Sequence, residues 1–417
     1  MCIRDRYYAG INKPNIHLLI DIDSNTEVLY ADNLTIDDIV WTGPLPTNQD
    51  LASQVGINMC KPLSALSKDI RVDALYLPPY RPEHIILLSE LLSIHRSDVA
   101  NAYSLPFVMA VINQRNIKED REIKEMSLAV NHSYDMHNAV MKAAKSGMYE
   151  SDLVGIASAV AHHHQVPFSY PAILTKRGEV LHNHDHSGFL DNGDIVLYDG
   201  GCESRSGYAG DITRTFPIGG KWQALQKDLY DVVHKSYTDS VRALEPGTFF
   251  KDIHLLACRA LVEGLSDVGF MKGDPDDAVA NGAHTMFFQC GLGHMIGLDV
   301  HDMENLGEHL VGYSDEIEKS KEFGLKSLRL GRRLKTGYTV TVEPGIYIIP
   351  ALIELRKSEG LYKDFINYDF LEKHASFGGI RIEDNFLITD DGSSLLGAEN
   401  IAPRTSKEVE DFMAEFS

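Results

Sequence analysis

Four acidic residues and one histidine lie in segments whose composition is typical of buried β-strands. Val, Ile, Tyr and Thr surround each of them, as in strands that pack in a core. The five residues are Asp199 in "IVLYDGG", Asp211 in "GYAGDITRTF", His294 in "CGLGHMIGLDVHD", Glu343 in "YTVTVEPGIYII" and Glu383 in "GGIRIEDNFLIT". A buried carboxylate needs a cation, a set of donors or a proton. Four of them therefore require compensation.

Two divalent cations would neutralise the four carboxylates if these segments converge. A ligand set that is rich in carboxylate, poor in nitrogen and free of thiolate suits Mn²⁺ best, with Co²⁺, Zn²⁺ or Fe²⁺ as further candidates, and does not suit a closed structural zinc site. Two neighbouring ions would acidify a water and stabilise a tetrahedral transition state, so the pattern predicts hydrolysis. The alternative is that the acids lie at exposed strand ends or pair with Arg214 and Arg381.

Other histidines offer competing sites. The segment "LHNHDH" sets His182, His184 and His186 at a spacing of two, which places them on one face if the segment is extended. We expect His184 and His186 to lie on a solvated polar edge. The run "HHH" at 162–164 is predicted to end a helix, where imidazoles interact favourably with the helix dipole, and we interpret it as structural.

A thiol nucleophile is a further alternative. Cys290 could act with His294 as its base and with Asp299 or Asp302 as the group that orients the histidine. No oxyanion-hole motif is recognisable nearby, and a lone cysteine is more often a small buried residue.

An internal similarity predicts how the ligand segments are arranged. "AAKSGMYESDLVGIASAVAHHH" and "RALEPGTFFKDIHLLACRALVE" each contain a glycine, an aspartate five residues later and then an apolar helix. The glycines are Gly147 and Gly247, and the aspartates are Asp152 and Asp252. This predicts an α+β domain over residues 116–417, built from two related halves. Chance similarity is the alternative. The first half would supply two of the ligands and the second half three, which places the site between the halves.

The preceding segment reads as a smaller α/β domain over residues 1–115. Apolar runs such as "IHLLIDID" alternate with helix-like stretches such as "PEHIILLSELLSIH", and the charged run "NQRNIKEDREIKEM" predicts a boundary near residue 116. We expect this domain to begin partway through its fold, and the opening "MCIRDR" has no explanation.

The composition excludes several classes of protein. The 417 residues carry 39 Lys and Arg against 60 Asp and Glu, a net charge of −21, which disfavours a nucleic-acid partner. No apolar run is long enough to span a bilayer, so no membrane association is expected. Five scattered cysteines without a CxxC spacing predict neither a disulfide framework nor a thiolate zinc site, and they fit a reducing cytoplasm.

The segments "DGG…GDITRTFP", "GLGHMIGLDVHD", "TVEPGIY" and "GGIRIEDNFLIT" closely resemble the pita-bread metallopeptidases, the family of creatinase, aminopeptidase P and prolidase. The resemblance implies that Asp199, Asp211, His294, Glu343 and Glu383 bind a dinuclear centre, usually of manganese or cobalt. It further implies that His182 and His301 contact the scissile peptide and the transition state. Glu343 would also serve as general base, and Arg381 would organise the groups around the ligands. The family also implies a homodimer.

Within the family, the prolidase pattern is matched best. "GLKSLRLGRRLKTGYTVTVEPGIY" resembles the prolidase segment in which the residue matching Arg329 holds the free carboxylate of a dipeptide, a contact that a guanidinium makes bidentately. The insert "PALIELRKSEGLYKDFINYDFLEKHASFGG" is also similar to prolidase. The resemblance thus implies an Xaa-Pro dipeptidase that acts on proline-containing peptides. The alternative functions are an Xaa-Pro aminopeptidase that acts on longer peptides and a binding module without catalysis. The alternative for Arg329 is that it is a surface charge.

Two departures from the family pattern bear on the site. Cys290 occupies a position where the family usually has a substrate-contacting histidine. The segment between Asp199 and Asp211 is one residue longer than the common pattern, which predicts a bulge in the turn between them.

Overall fold

The computed structural model describes residues 3–416. Met1, Cys2 and Ser417 lie outside the described residues, and with them the start of the opening "MCIRDR". The described chain divides into two compact units, residues 1–111 and 112–417. The helix Leu105–Asn116 spans this division. The sequence-based division into a domain of residues 1–115 and a domain of residues 116–417 stays a proposal.

The first unit contains a three-stranded sheet in the order β1-β2-β3, with β1 and β2 antiparallel and β2 and β3 parallel. Its central strand is buried on both faces, because Leu29 packs in one apolar cluster while Val28 and Tyr30 pack in another. The elements are β1 (His17–Asp21), β2 (Thr26–Tyr30), β3 (Met59–Lys61), α1 (Ile3–Ala9), α2 (Ile36–Thr42), α3 (Asn48–Gln54), α4 (Leu66–Asp69), α5 (Pro82–Leu92) and α6 (Leu105–Asn116).

The second unit is built from helix pairs and short antiparallel sheets. Its helices are α7 (Asp120–Ala143), α8 (Glu150–His164), α9 (Ala224–Arg242), α10 (Phe250–Val268), α11 (Pro275–Ala280), α12 (Glu308–Val311), α13 (Pro350–Glu359), α14 (Tyr368–Lys373) and α15 (Ser406–Ala414). Its strands are β4 (Ile173–Thr175), β5 (Ile195–Asp199), β6 (Thr213–Pro217), β7 (Thr339–Val342), β8 (Gly345–Ile348), β9 (Gly378–Arg381), β10 (Asp384–Thr389) and β11 (Gly392–Leu395).

The predicted internal repeat is present in the structure. Helices α7 and α8 pack together, as do α9 and α10, and the second helix of each pair begins at Glu150 and at Phe250. Gly147 and Gly247 precede these helices with φ of +91° and +93°, a left-handed conformation that favours glycine. Each helix pair is followed along the chain by strands, which gives two α+β halves.

The strands of the two halves meet at one place. β4, β5 and β6 form one sheet in that order, and β10 lies between β7 and β11 in another. A bridge between Thr213 and Glu383 joins them, with the amide of Glu383 donating to the carbonyl of Thr213 at 3.1 Å. This contact brings the ends of β6 and β10 together, where the predicted ligands lie. Among the described residues, no helix is both long and apolar enough to cross a membrane.

A buried ionic cluster holds the segment that follows the "LDVHD" motif. Asp302 accepts from Arg115 Nη2 and from Lys118 Nζ, each at 2.9 Å. The Asp302 side chain is 1% exposed. Burial would raise the pKa of Asp302, but the charges of Lys118 and Arg115 outweigh it and lower the pKa. The cluster thus fixes the chain next to His301.

We predict that Asp302→Asn lowers the free energy of unfolding by about 3–5 kcal/mol, because it leaves buried cations uncompensated. The Asp302 contribution should be present above the unfolded-state pKa near ~3.9 and lost as the pH falls through the lower folded-state pKa. Urea unfolding at neutral and acidic pH would measure both effects. Asp299→Asn is the control, since Asp299 is 20% exposed and lies 3.7 Å from Arg115. Equal losses in the two variants would contradict the prediction.

Candidate metal centre

The first two acids lie on one face of the β5–β6 hairpin. Asp199 is opposite Thr213, and the same register continues to the bridge between Glu203 and Ala209. Residues directly opposite in an antiparallel pair point to the same side, so Asp211, two positions from Thr213, shares the face of Asp199. The predicted bulge is wrong, because the pairing register is the same on both sides of the segment that carries the two carboxylates.

The extra residue of this hairpin is absorbed at its tip. The amide of Ser204 donates to the carbonyl of Tyr208 at 2.8 Å, still in register, and three residues close the loop. One of the three is Gly207, whose φ of +83° permits the tight reversal. The length difference therefore leaves the spacing of the two carboxylates unchanged.

The other two acids lie opposite one another between two strand pairs, β7 with β10 and β8 with β9. Val342 pairs with Asp384 on one side and Gly345 pairs with Arg381 on the other. The same register on both sides places Glu343 opposite Glu383. Like charges directly opposite one another destabilise a sheet, so this pair needs a cation or a proton.

His294 lies beside the same strand. Its amide donates to Thr341 Oγ1 at 3.1 Å, and its Nδ1 lies 3.0 Å from the carbonyl of Met295. A proton on Nδ1 satisfies that carbonyl, so Nε2 is the nitrogen that can bind a metal ion or, without one, carry a proton toward Asp211. Nε2 lies 3.3 Å from Asp211 and 3.7 Å from Glu343. His294 thus presents its ligating nitrogen to acids from both halves.

Arg381 and Thr213 connect the acids. The Arg381 guanidinium donates to Asp199, to Thr213 Oγ1 at 3.0 Å and to the Tyr347 hydroxyl at 3.0 Å. Thr213 in turn donates to Glu383 Oε2 at 2.7 Å. Arg381 is therefore one cation among four carboxylates. Arg214, the other cation considered from the sequence, pairs with Asp384 instead.

Tyr170 is a contact that the sequence analysis missed. Its hydroxyl lies 2.6 Å from Asp199 Oδ1 and 2.5 Å from Asp211 Oδ1. A phenol has a single proton to donate, so it cannot serve both carboxylates at once. Nothing around Tyr170 in the sequence signals this contact. Thr213 could have been found, because it alternates with Asp211 within "GDITRTF".

The pKa values of the four carboxylates reflect their burial and the charges of their neighbours. Burial raises the pKa of Asp199 to about 6 and that of Glu343 to about 7, with repulsion from Asp211 adding to both. Burial and the neighbouring carboxylates raise the pKa of Glu383 well above its usual range. Asp211 differs, because its contact with His294 outweighs burial and lowers its pKa. Without cations, the pocket therefore favours taking up protons.

The donor set fits divalent metal ions. Asp211, His294 and Glu383 offer ligand atoms within 4.8 Å of one another. Glu383 Oε1 is buried and has no hydrogen-bond partner among the described residues. Such an atom is costly unless a cation or a donor reaches it. The five predicted ligands converge, and their contacts connect Asp199 and Glu343 to this group.

The residues with predicted substrate roles lie at the edge of this centre. The His301 ring meets the His294 ring edge-on with centroids 4.4 Å apart, and its Nδ1 lies 3.3 Å from Glu304. Arg329 Nη1 lies 2.7 Å from Glu304 Oε2 and 3.5 Å from Glu308. A substrate carboxylate would therefore have to compete with Glu304 for Arg329.

The "LHNHDH" segment is irregular rather than extended. Burial, together with the charges of Arg381 and Arg329, lowers the pKa of His182, which places His182 on the side of these two cations. His186 Nδ1 lies 3.1 Å from the carbonyl of Leu174, and His184 is exposed. The expectation of a solvated edge therefore holds for His184, while His186 is partly buried.

Cys290 does not form a nucleophile with His294. Its Sγ lies 3.9 Å from the Tyr347 hydroxyl, and burial, with the charge of Glu343, raises its pKa to about 12. His294 directs its free nitrogen at carboxylates, and Asp302 lies in the ionic cluster described above. The thiol alternative is wrong.

Metal binding should stabilise the folded protein, because the cations neutralise this cluster of acids. We predict that adding Mn²⁺ to the metal-free protein raises its Tm and that a chelator reverses the rise. Glu383→Gln should be at least as stable as the metal-free native protein, since it removes a repelled carboxylate, but should gain little from Mn²⁺.

Thermal unfolding with and without Mn²⁺ would test this. Glu359→Gln, on the exposed end of α13, is the matched control and should respond to Mn²⁺ as the native protein does. An unchanged native Tm on adding Mn²⁺ would contradict the prediction.

Comparison with known proteins identifies the family of this chain. The profile of metallopeptidase family M24 matches residues 124–390, and that of the aminopeptidase P N-terminal domain matches residues 6–74. The Xaa-Pro dipeptidase of Homo sapiens is 30% identical, with 97% of this chain and 82% of that protein covered. A probable Xaa-Pro aminopeptidase of Sordaria macrospora is 31% identical, with 98% and 85% covered.

The fold is shared with solved structures. Zinc-substituted Escherichia coli aminopeptidase P, solved in complex with product, has a TM-score of 0.79 and 27% identity, with 100% of this chain and 89% of that chain covered. This confirms the predicted pita-bread fold preceded by a smaller α/β domain. The chain therefore belongs to metallopeptidase family M24, carries an aminopeptidase P N-terminal domain, and is a metal-dependent peptidase.

Proposed function

We propose that this protein is an exopeptidase that hydrolyses the bond between an N-terminal residue and proline, with two divalent ions held by Asp199, Asp211, His294, Glu343 and Glu383. The observation that carries the proposal is the convergence of four carboxylates and one imidazole around a buried, unpartnered Glu383 oxygen. The carboxylate-rich donor set makes Mn²⁺ the best-suited metal. Relatives that are about one third identical carry Xaa-Pro peptidase names.

The residues have separate tasks in this proposal. Two bound divalent ions would supply an activated water and would stabilise the tetrahedral transition state. Glu343 is the general base, since it faces His294 across 3.7 Å at the end of its strand. Arg381 is a positioning residue that holds Asp199 and Thr213. His301 packs against His294, and His301 and His182 would contact the scissile peptide.

We further propose that dipeptides are the preferred substrates, with Arg329 as the group that binds the free carboxylate of proline. A guanidinium beside a carboxylate donates charge-assisted hydrogen bonds, and Arg329 is one third exposed. Arg329 already contacts Glu304 and Glu308. On binding, the carboxylate of the substrate would take the place of one of these side-chain carboxylates beside Arg329. The alternative is an Xaa-Pro aminopeptidase that accepts longer peptides, and relatives carry both names.

Two further expectations stay proposals. We propose a homodimer, and the apolar residues Ile36, Val40 and Trp41, which are at least 72% exposed on α2, offer a surface for it. We propose a cytoplasmic location because Cys60, Cys202, Cys258 and Cys290 are free thiols, as a reducing compartment maintains them.

Hydrolysis of Ala-Pro should require metal and the Glu343 carboxylate. We expect a chelator to abolish the activity and Mn²⁺ to restore it. Glu343→Gln should lower kcat by at least about 10²-fold, the usual contribution of a general base. Glu354→Gln, an exposed change on α13, is the control. A native protein that binds Mn²⁺ yet cleaves neither Ala-Pro nor Ala-Pro-Ala would be a binding module instead.

Arg329 should discriminate between the two peptidase types. We predict that Arg329→Ala raises KM for Ala-Pro by about tenfold or more, the effect of losing one charge-assisted hydrogen bond, and changes KM for Ala-Pro-Ala little. Glu304→Gln should lower KM for Ala-Pro by releasing Arg329. Arg333→Ala is the control, because Arg333 pairs with Glu316 on the surface. Equal effects on both peptides would make Arg329 a surface charge, and faster native turnover of the tripeptide would favour the aminopeptidase.

A further inference from the structure

A second group of candidate metal-binding side chains contains none of the five proposed ligands. His254 and Cys258 are on α10, and His284 is on a short 3₁₀ helix, Ala283–Met286. The three side chains belong to residues that are 1%, 0% and 4% exposed, respectively. Their ligand atoms lie within 4.8 Å of one another. None of the three is connected by a described hydrogen bond to the carboxylate centre.

The local fold explains why these residues meet. His254 and Cys258 are four positions apart on a helix, so they lie on the same face one turn apart. That face is the buried one, where the His254 ring packs 5.5 Å from the Phe288 ring. The turn at Gly282, with φ of +75°, begins the 3₁₀ helix that brings His284 to the same place.

The polar atoms of this group are not satisfied by protein. The Cys258 thiol lies 3.5 Å from His254 Nε2, which accounts for one nitrogen. His254 Nδ1 and both ring nitrogens of His284 are buried and have no hydrogen-bond partner among the described residues. A neutral imidazole carries one donor and one acceptor, and leaving both unpaired in a dry core costs free energy. Apolar residues would fill this space without that cost.

The chemical state of the residues suits a metal ion. Burial lowers the pKa of His254 to about 3 and that of His284 to about 4, so both imidazoles are neutral, the form that binds metals. Burial raises the pKa of the Cys258 thiol. A metal ion would release the thiol proton to solvent and bind the resulting thiolate, as metal sites in proteins do.

We propose that His254, Cys258 and His284 form a second, thiolate-containing metal site that takes Zn²⁺. Ligand atoms arranged tetrahedrally around zinc lie about 3.3–3.8 Å apart, and the Sγ to Nε2 distance is already 3.5 Å. Two imidazoles and a thiolate are softer ligands than carboxylates and select zinc over manganese. The three residues supply three of the four positions around zinc, and a water would complete the tetrahedron. The ion would tie α10 to the segment that leads to His294.

Cobalt makes the site visible, because a thiolate bound to Co²⁺ gives a charge-transfer band in the near ultraviolet that carboxylate and imidazole ligands do not. Full-length protein produced with Co²⁺ in the growth medium should show this band. Cys258→Ala should abolish it and remove roughly one metal equivalent, as expected for a site with one thiolate. His284→Ala should weaken or shift it.

Three control variants separate this site from the carboxylate centre and from a folding defect. Cys202→Ala changes another buried cysteine and should keep the band. Cys290→Ala should also keep it, and Glu383→Gln should keep it while losing metal from the carboxylate centre. Absence of the band in the native protein, its survival in Cys258→Ala, or its loss only in Cys290→Ala would each overturn the proposal.

Discussion

Repulsion between four carboxylates is the constraint on which the centre of this protein depends. The hairpin register places Asp199 and Asp211 on one face, and the shared register of the pairs β7–β10 and β8–β9 places Glu343 opposite Glu383. Neither pair can move apart without a slip of the ladder, which would turn every side chain to the other face. The β-sheet thus holds the acids together against their charges, and the binding of cations compensates for the repulsion.

The polar residues around the acids restrict how that compensation can occur. Arg381, Thr213 and Tyr170 hold oxygens of Asp199, Asp211 and Glu383 in fixed directions. Arg381 contributes a single positive charge, so it orients the acids without neutralising them. Glu383 Oε1 has no hydrogen-bond partner within residues 3–416. A preformed pocket with excess negative charge favours small divalent cations, because each ion neutralises two carboxylates and occupies little volume.

The sequence was sufficient to single out the four acids that the structure brings together, because each acid interrupts a run of β-branched and aromatic residues, a pattern that local composition reveals. The repeat was visible for a similar reason, since Gly147 and Gly247 each need a left-handed conformation before a helix. The bulge was predicted wrongly because the register of a hairpin depends on both strands, and the sequence shows only the length of the loop. Tyr170 was missed because its contacts are set by the meeting of β4 and the hairpin.

The buried histidines likewise show that the sequence does not reveal contacts between elements that are distant along the chain. His254 and Cys258 have a helical spacing that the sequence displays, but the third member, His284, lies on a different element and joins them only in the folded chain. Its two ring nitrogens have no partner in the part of the chain that the structure describes, and this separates it from an ordinary packed core histidine. The carboxylate centre and the proposed zinc site therefore differ in the hardness of their ligand atoms as well as in the residues that form them. A chain that separates hard and soft donors in this way can take up two different metals without exchanging them.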